Sequence, residues 1–120
     1  MATLVPLNTF KTITSNLYTN DTILYTTPGE TATIILTAQV SNISDRIANV
    51  TVIHRSNVLS GGFRVITDTE LVNKFEINKN DAASVVVGKI VLEEDQAIIA
   101  RAGANAHLKI LLSLLETSLQ

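Results

Sequence analysis

Apolar and polar positions alternate from Thr31 to Ile43. Ala32, Ile34, Leu36, Ala38 and Val40 fall on one face, and Thr33, Thr37, Gln39 and Ser41 fall mostly on the other. A period of two is the mark of a strand, whose successive side chains point to opposite faces. This is the longest such run, so it is expected at the centre of a sheet. Thr22-Ile-Leu-Tyr25-Thr reads as a strand before it. The intervening Thr27-Pro28-Gly29-Glu30 predicts a hairpin turn with Gly29 at positive φ.

Further strands are predicted at Asn49–Ile53 and at Glu70–Ile77, the latter with Leu71, Phe75 and Ile77 on one side. Ser56 to Gly62 reads as a loop between them. Ser84–Val87 and Lys89–Leu92 form a strand or strand pair around a bend at Gly88. Gln96–Ala102 lies between turns at Glu93-Glu94-Asp95 and Gly103-Ala-Asn105. The closing segment, Ala106–Glu116, fits two patterns. Leu108, Ile110, Leu112 and Leu114 alternate as in a strand, while Leu108, Leu111, Leu112 and Leu115 make a helical stripe. Strand is the reading adopted, because the segment follows a tight turn in a chain of regularly spaced short strands.

Many short strands without a convincing helix predict an all-β chain. The expected fold is a single β-sandwich over residues 1–120, jelly-roll or Ig-like. The stretch up to Ser15 is expected as an extended N-terminal arm, anchored by Phe10 and Ile13.

Composition supports this and narrows the function. With 120 residues, 46% of them hydrophobic and no Cys, the chain has material for its own core without a disulfide or thiolate metal site. Nine basic residues scattered singly against 11 acidic ones, net charge -2, argue against a nucleic-acid partner. Aromatic content of 4% leaves little to stack on bases or sugars. No apolar run approaches the ~18 residues of a membrane span, and Met1–Asn8 lacks the features of a signal peptide. The expectation is therefore no membrane partner and no secretory route.

Residues that do chemistry are sparse. His54 and His107 are the only histidines and lie far apart in sequence, a weak basis for a metal site. Glu93-Glu94-Asp95 is consecutive, whereas a calcium loop offers oxygens at alternating positions. Asp68, Glu70 and Asp81 lack the aromatic lining of a sugar cleft. Ser60-Gly61-Gly62 has neither the Lys of a phosphate loop nor a nucleophile elbow. No catalytic residue, metal or cofactor is assigned, and the chain is expected not to be an enzyme.

One pattern exceeds a bland reading. A strand in a two-layer sandwich needs one apolar face, yet Ile34-Ile35-Leu36, Val85-Val86-Val87, Ile98-Ile99 and Leu111-Leu112 with Leu114-Leu115 are apolar on both. The surplus predicts a subunit interface that includes Val85, Val86, Val87, Ile98, Ile99, Leu111 and Leu115. The alternative is a third layer, or a helix in the C-terminal segment, that absorbs part of the excess within one chain.

The order of several segments also carries a resemblance. Tyr25-Thr-Thr-Pro28-Gly29, Ala38-Gln-Val-Ser-Asn42, Glu70-Leu-Val-Asn-Lys-Phe-Glu-Ile77, Asn80-Asp-Ala-Ala83, Gly88-Lys-Ile-Val-Leu-Glu93 and Leu108-Lys-Ile with Ser113-Leu-Leu-Glu116 follow one another from Tyr25 onward. In this the chain resembles small virion proteins of tailed bacteriophages, of the type found in phages of cyanobacteria and other aquatic bacteria. The Ser56–Thr67 connection is longer than in that group and the C-terminus richer in Leu. The resemblance implies a structural part of the particle (capsid decoration, neck, tail or fibre) assembled in the host cytoplasm. Its partners would be itself and other virion proteins, and it assigns no functional residues. A carbohydrate- or receptor-binding sandwich module is the alternative, since sandwich loops often carry recognition.

Overall fold

The computed structural model describes residues 8–86 and 88–118. Among them the chain forms strands β1 (Asn8–Asn16), β2 (Thr22–Thr26), β3 (Thr31–Asn42), β4 (Ala48–Ser60), β5 (Phe63–Ile77), β6 (Ala82–Ser84), β7 (Ile90–Leu92), β8 (Ala97–Ala102) and β9 (Leu108–Ser118), with no helix. The C-terminal segment is a strand, as its alternation predicts. It buries Leu108, Ile110, Leu112 and Leu114 on one face. Residues 1–7 of the expected arm and Val87 lie outside the described residues. Residues 8–15 of that arm belong to β1, paired antiparallel along β9 of the same chain.

Two antiparallel sheets face each other. One runs β1-β9-β3, with β6 and β7 both on the far side of β3; the other runs β2-β8-β4-β5. Every connection crosses between the sheets except β4 to β5 and the short break between β6 and β7. That is the jelly-roll order, so of the two sandwich topologies left open by the sequence the Ig-like one is not formed. β3 is central, as its length predicts, flanked by β9 and by β6 and β7.

The topology corrects the Pro28-Gly29 turn. β2 and β3 lie in different sheets, so Thr27–Glu30 is a corner and not a hairpin. Thr27 is tied to the β7–β8 turn, donating N–H to Gln96 O at 2.9 Å and accepting from Asp95 N at 3.1 Å. Glu30 adopts the left-handed conformation at φ 56°, and Gly29 does not.

A bulge corrects the faces of β3. Its register against β9 steps from Ile35 opposite Leu114 to Thr37 opposite Ser113, leaving Leu36 as an extra residue. One extra residue inverts which side faces the core. Thr33 and Ile35 point inward before the bulge, Ala38, Val40 and Asn42 after it. Ala32 and Ile34, expected inside, therefore face outward.

The core packs Ile35, Val40, Ile110, Leu112 and Leu114 of the first sheet against Val50, Val52, Ile98 and Ala100 of the second. Leu17 and Leu108 are fully buried beside them, and Leu17 N–H donates to Leu108 O at 2.9 Å. In β5, register shifts between Val50 and Ile53 of its partner, together with Lys74 at φ 53°, break the expected alternation. Ile77 is buried, Leu71 is half-buried, and Phe75 is turned out.

Candidate functional site

The stretch expected to be a loop from Ser56 to Gly62 is instead the end of β4 and a tight turn. β4 pairs with β5 without a slip from Ile53 opposite Glu70 to Ser60 opposite Phe63. Gly61 and Gly62 close the hairpin at φ 58° and 86°. Positive φ at both central residues defines a type I′ turn, whose twist matches that of the strands, and Gly-Gly meets it without a Cβ clash. The Gly pair was the available signal. The length of the strands it joins was hidden because Ser56, Asn57 and Ser60 read as loop residues.

β8 pairs with β4 only as far as Arg55 opposite Ala97, and β5 is the outermost strand of its sheet. Beyond Arg55 the hairpin is thus a two-stranded ribbon reaching past the last paired position of β8, with the Glu93–Gln96 turn beside it. Five large apolar residues lie exposed on it: Val58, Leu59, Phe63, Val65 and Ile66, from 49% exposed at Val65 to 76% at Phe63. Val58 sits opposite Val65 on one face, while Leu59 and Ile66 lie on the other. An isolated two-stranded hairpin is marginal in water. Burying side chains of this size is worth about 1.5–3 kcal/mol each. The ribbon leaves most of that gain unrealised.

Polar contacts fix the base of the hairpin. His54 is half-buried, with Nε2 3.2 Å from Gln96 Oε1. That oxygen also accepts the Glu93 N–H at 2.9 Å. Since it can only accept, His54 Nε2 carries a proton and donates, a structural role. Arg55 grips Asp68 at two points, 2.8 and 2.9 Å, and this contact holds the Asp68 carboxyl below its usual range. Arg64 reaches Asp95 more loosely, at 3.4 Å. Asn57, Leu59 and Arg64 line an open groove against the 93–96 turn.

A second apolar feature crosses the outer face of the other sheet. Register aligns Phe10, Leu115, Ile34 and Val91 in one row across four strands. Phe10 is 73% and Val91 58% exposed, with Leu115 and Ile34 half-buried between them.

The residues expected at an interface separate into groups. Val85, Val86 and Ile98 belong to the chain's own core and are not available to a partner. Val85 N–H donates to Ala38 O at 2.9 Å, which draws the β6–β7 segment inward. Ile99 is also fully buried, though it faces away from the core beside Ile53. The register surrounds this pair with Ile23, Glu70, Arg55 and Arg101. Long charged side chains cover apolar surface with their stems. Here Asp68 and Asp21 hold the two arginines, the latter at 2.9 Å from Arg101. Leu111 and Leu115 do face outward, Leu111 39% exposed. The structure does not bring the six described ones together. The projecting hairpin was missed altogether.

At one end of the sandwich the Tyr25 hydroxyl meets Thr33 Oγ1 at 2.8 Å and donates to Glu116 Oε2. Lys11 Nζ lies 3.1 Å from Glu116 Oε1. Burial, reinforced by the Glu116 contact, pushes the Tyr25 hydroxyl up to about 12. Burial alone would raise the Glu116 carboxyl, but Tyr25 and Lys11 together hold it below the usual range. The cluster ties the two sheets. Among the described residues, no three His, Asp or Glu side chains gather to hold a metal, and no helix is long and apolar enough to cross a membrane.

No protein-family model matches the chain, and no curated protein matches it significantly in sequence. Among solved structures the fold is similar to that of a chain from Bacillus endospore appendages, which form a family of disulfide-linked pili. The TM-score is 0.53 at 14% identity, over 94% of this chain and 88% of that one. At that identity the likeness is one of fold.

Proposed function

We propose that this chain is a non-enzymatic structural subunit that assembles with copies of itself through the projecting β4–β5 hairpin. The observation that carries the proposal is the ribbon itself: five exposed apolar side chains beyond the last strand that supports it. The row from Phe10 to Val91 is a second uncovered surface on the same molecule. Two separate adhesive surfaces on one chain let each copy contact more than one other, so association can extend beyond a pair. A fold shared with a pilus subunit supports that reading. Disulfide linkage is not open to this chain, which has no cysteine, so its assembly rests on non-covalent contacts.

The finer setting we propose is the virion of a tailed bacteriophage, with assembly in the host cytoplasm and other virion proteins as further partners. What supports it is the sequence resemblance running from Tyr25 to Glu116. Light scattering on the purified chain across a concentration series, with electron microscopy of the largest species, tests the assembly. The wild type is expected to form oligomers. Leu59→Glu or Ile66→Glu should give a folded monomer with an unchanged circular dichroism spectrum. A wild type that stays monomeric at about millimolar concentration would refute the proposal.

A further inference from the structure

Edge strands are usually blunted by bulges, prolines or charges, because a free edge is a template for another strand. β5 is treated unevenly. Its proximal part is blunted by the register shifts near Val72 and by Lys74 in the left-handed conformation. From Phe63 to Glu70 it is regular, free of proline and on the outside of its sheet.

The turn fixes which groups of that segment are free. In a two-residue hairpin the closing pair, here Ser60 and Phe63, is hydrogen-bonded, and bonded pairs recur at every second position. Phe63, Val65, Thr67 and Thr69 therefore spend their backbone groups on β4. Arg64, Ile66, Asp68 and Glu70 turn their N–H and C=O groups outward.

We infer that the occupant of this edge is the same edge of a second copy, paired antiparallel about a two-fold axis at Thr67. The inference rests on the assembly reading above and gives it a geometry. Outward-facing residues must pair with outward-facing residues, so the axis can fall only at whole residues. At Thr67, Arg64 lies opposite Glu70 of the second copy, and the symmetry makes that contact twice. Glu70 takes part in none of the four ion pairs among the described residues, and the loose Arg64–Asp95 contact leaves Arg64 able to turn towards it. Val65 comes opposite Thr69, and the exposed Phe63 comes against Leu71, where the bulge begins. The neighbouring registers are poorer. An axis at Ile66 offers Arg64 an Asp68 that Arg55 already grips at two points. An axis at Asp68 sets that carboxylate against its own copy. Pairing at Thr67 joins two four-stranded sheets into one of eight strands.

The cysteine-free chain supplies a direct test, because any thiol introduced is the only one. Thr67 would face its own copy at a non-hydrogen-bonded position, where Cα atoms lie ~4.5 Å apart, inside the range a disulfide spans. Thr67 is exposed, so Thr67→Cys should fold. Under mild oxidation it should give a disulfide-linked dimer on a non-reducing gel. Val65→Cys and Thr69→Cys should each stay monomeric alone and cross-link when mixed. Glu70→Arg should slow Thr67→Cys cross-linking by at least tenfold, and adding Arg64→Glu should restore it. No more dimer from Thr67→Cys than from Val65→Cys alone would overturn the pairing. Light scattering on the wild type separates the two ideas. An oligomeric wild type without the Thr67 cross-link leaves hairpin-driven assembly standing and removes this edge, whereas a monomeric wild type removes both.

Discussion

Asn42 shows how closely the corner after β3 is held, and replacing it gives a sharp test. The residue is 2% exposed. Its Nδ2 donates to Arg46 O at 2.7 Å and to Ile77 O at 2.9 Å, while its Oδ1 accepts from Ser44 N at 2.9 Å and Ser44 Oγ at 2.7 Å. All the main hydrogen-bonding positions of the amide are used, and they join β3, the 43–47 corner and the end of β5. Asn42→Ala removes the four contacts together. The Ile77 carbonyl is buried and would lose this donor, at a cost of about 1–3 kcal/mol. Water can partly replace the other three, so each adds a few tenths of a kcal/mol up to about 1. Together these come to roughly 2–6 kcal/mol. Urea denaturation in an Ile66→Glu background, expected to be monomeric, should show this as a lower midpoint at unchanged slope. Asn42→Asp should be worse at neutral pH, because it sets a carboxylate against two carbonyl oxygens. A loss below about 1 kcal/mol for Asn42→Ala, or an Asp variant as stable as wild type, would show that the corner does not depend on this amide.

Further expectations follow from the backbone and from the Tyr25 cluster. Gly62 sits at φ 86°, so Gly62→Val should loosen the hairpin by about 1–2 kcal/mol, read as faster amide exchange at residues 56–67 with the core unchanged. Gly29 has no positive φ, and a Cβ there would stand 3.4 Å from Glu94 Oε1, so Gly29→Ala should shift the urea midpoint little. Tyr25 is raised to about 12, so the folded chain keeps its phenol proton where the unfolded chain loses it. Its contribution is whole below pH ~10 and declines as pH rises towards ~12. Tyr25→Phe should flatten that decline relative to wild type, and equal slopes would refute the assignment. Glu116, held low, acts with the opposite sign: its contribution is present above its unfolded range and is lost on acidification.

Strand content was legible because Thr, Val and Ile dominate, and β9 because its inward residues repeat every second position. What failed needed information that no local window holds. Thr27-Pro28-Gly29-Glu30 has hairpin chemistry, but β2 finds its partner in β8, some seventy residues on, and the corner follows from that pairing. The bulge at Leu36 reversed the faces of the most regular run in the chain. Its local signal was three consecutive apolar residues, Ile34-Ile35-Leu36, which looked like surplus and instead mark where the phase changes. The hairpin was obscured for a similar reason. β4 carries Ser56 and Ser60 on the face that continues its core side, where a sandwich would place apolar residues, and the ribbon tolerates them because it lies outside the sandwich.

Part of the apolar surplus expected at an interface is buried within the chain itself. Val85, Val86 and Ile98 entered the core when the β6–β7 segment folded inward and β8 became an inner strand. Ile53 and Ile99 face away from the core yet are buried, set among arginines that aspartates hold in place. Each of these surpluses is resolved inside one chain. The hairpin has no such recourse, since among the described residues no third strand pairs with it beyond Arg55. Its charged residues, Arg64, Asp68 and Glu70, all fall on one face together with Leu59 and Ile66, which leaves Val58, Val65 and Phe63 on the other without even a charged stem to shield them. A chain able to cover Ile99 with arginines could cover Phe63 in the same way, and it does not. The exposed residues sit where another molecule can reach them, at the far end of the longest hairpin in the fold.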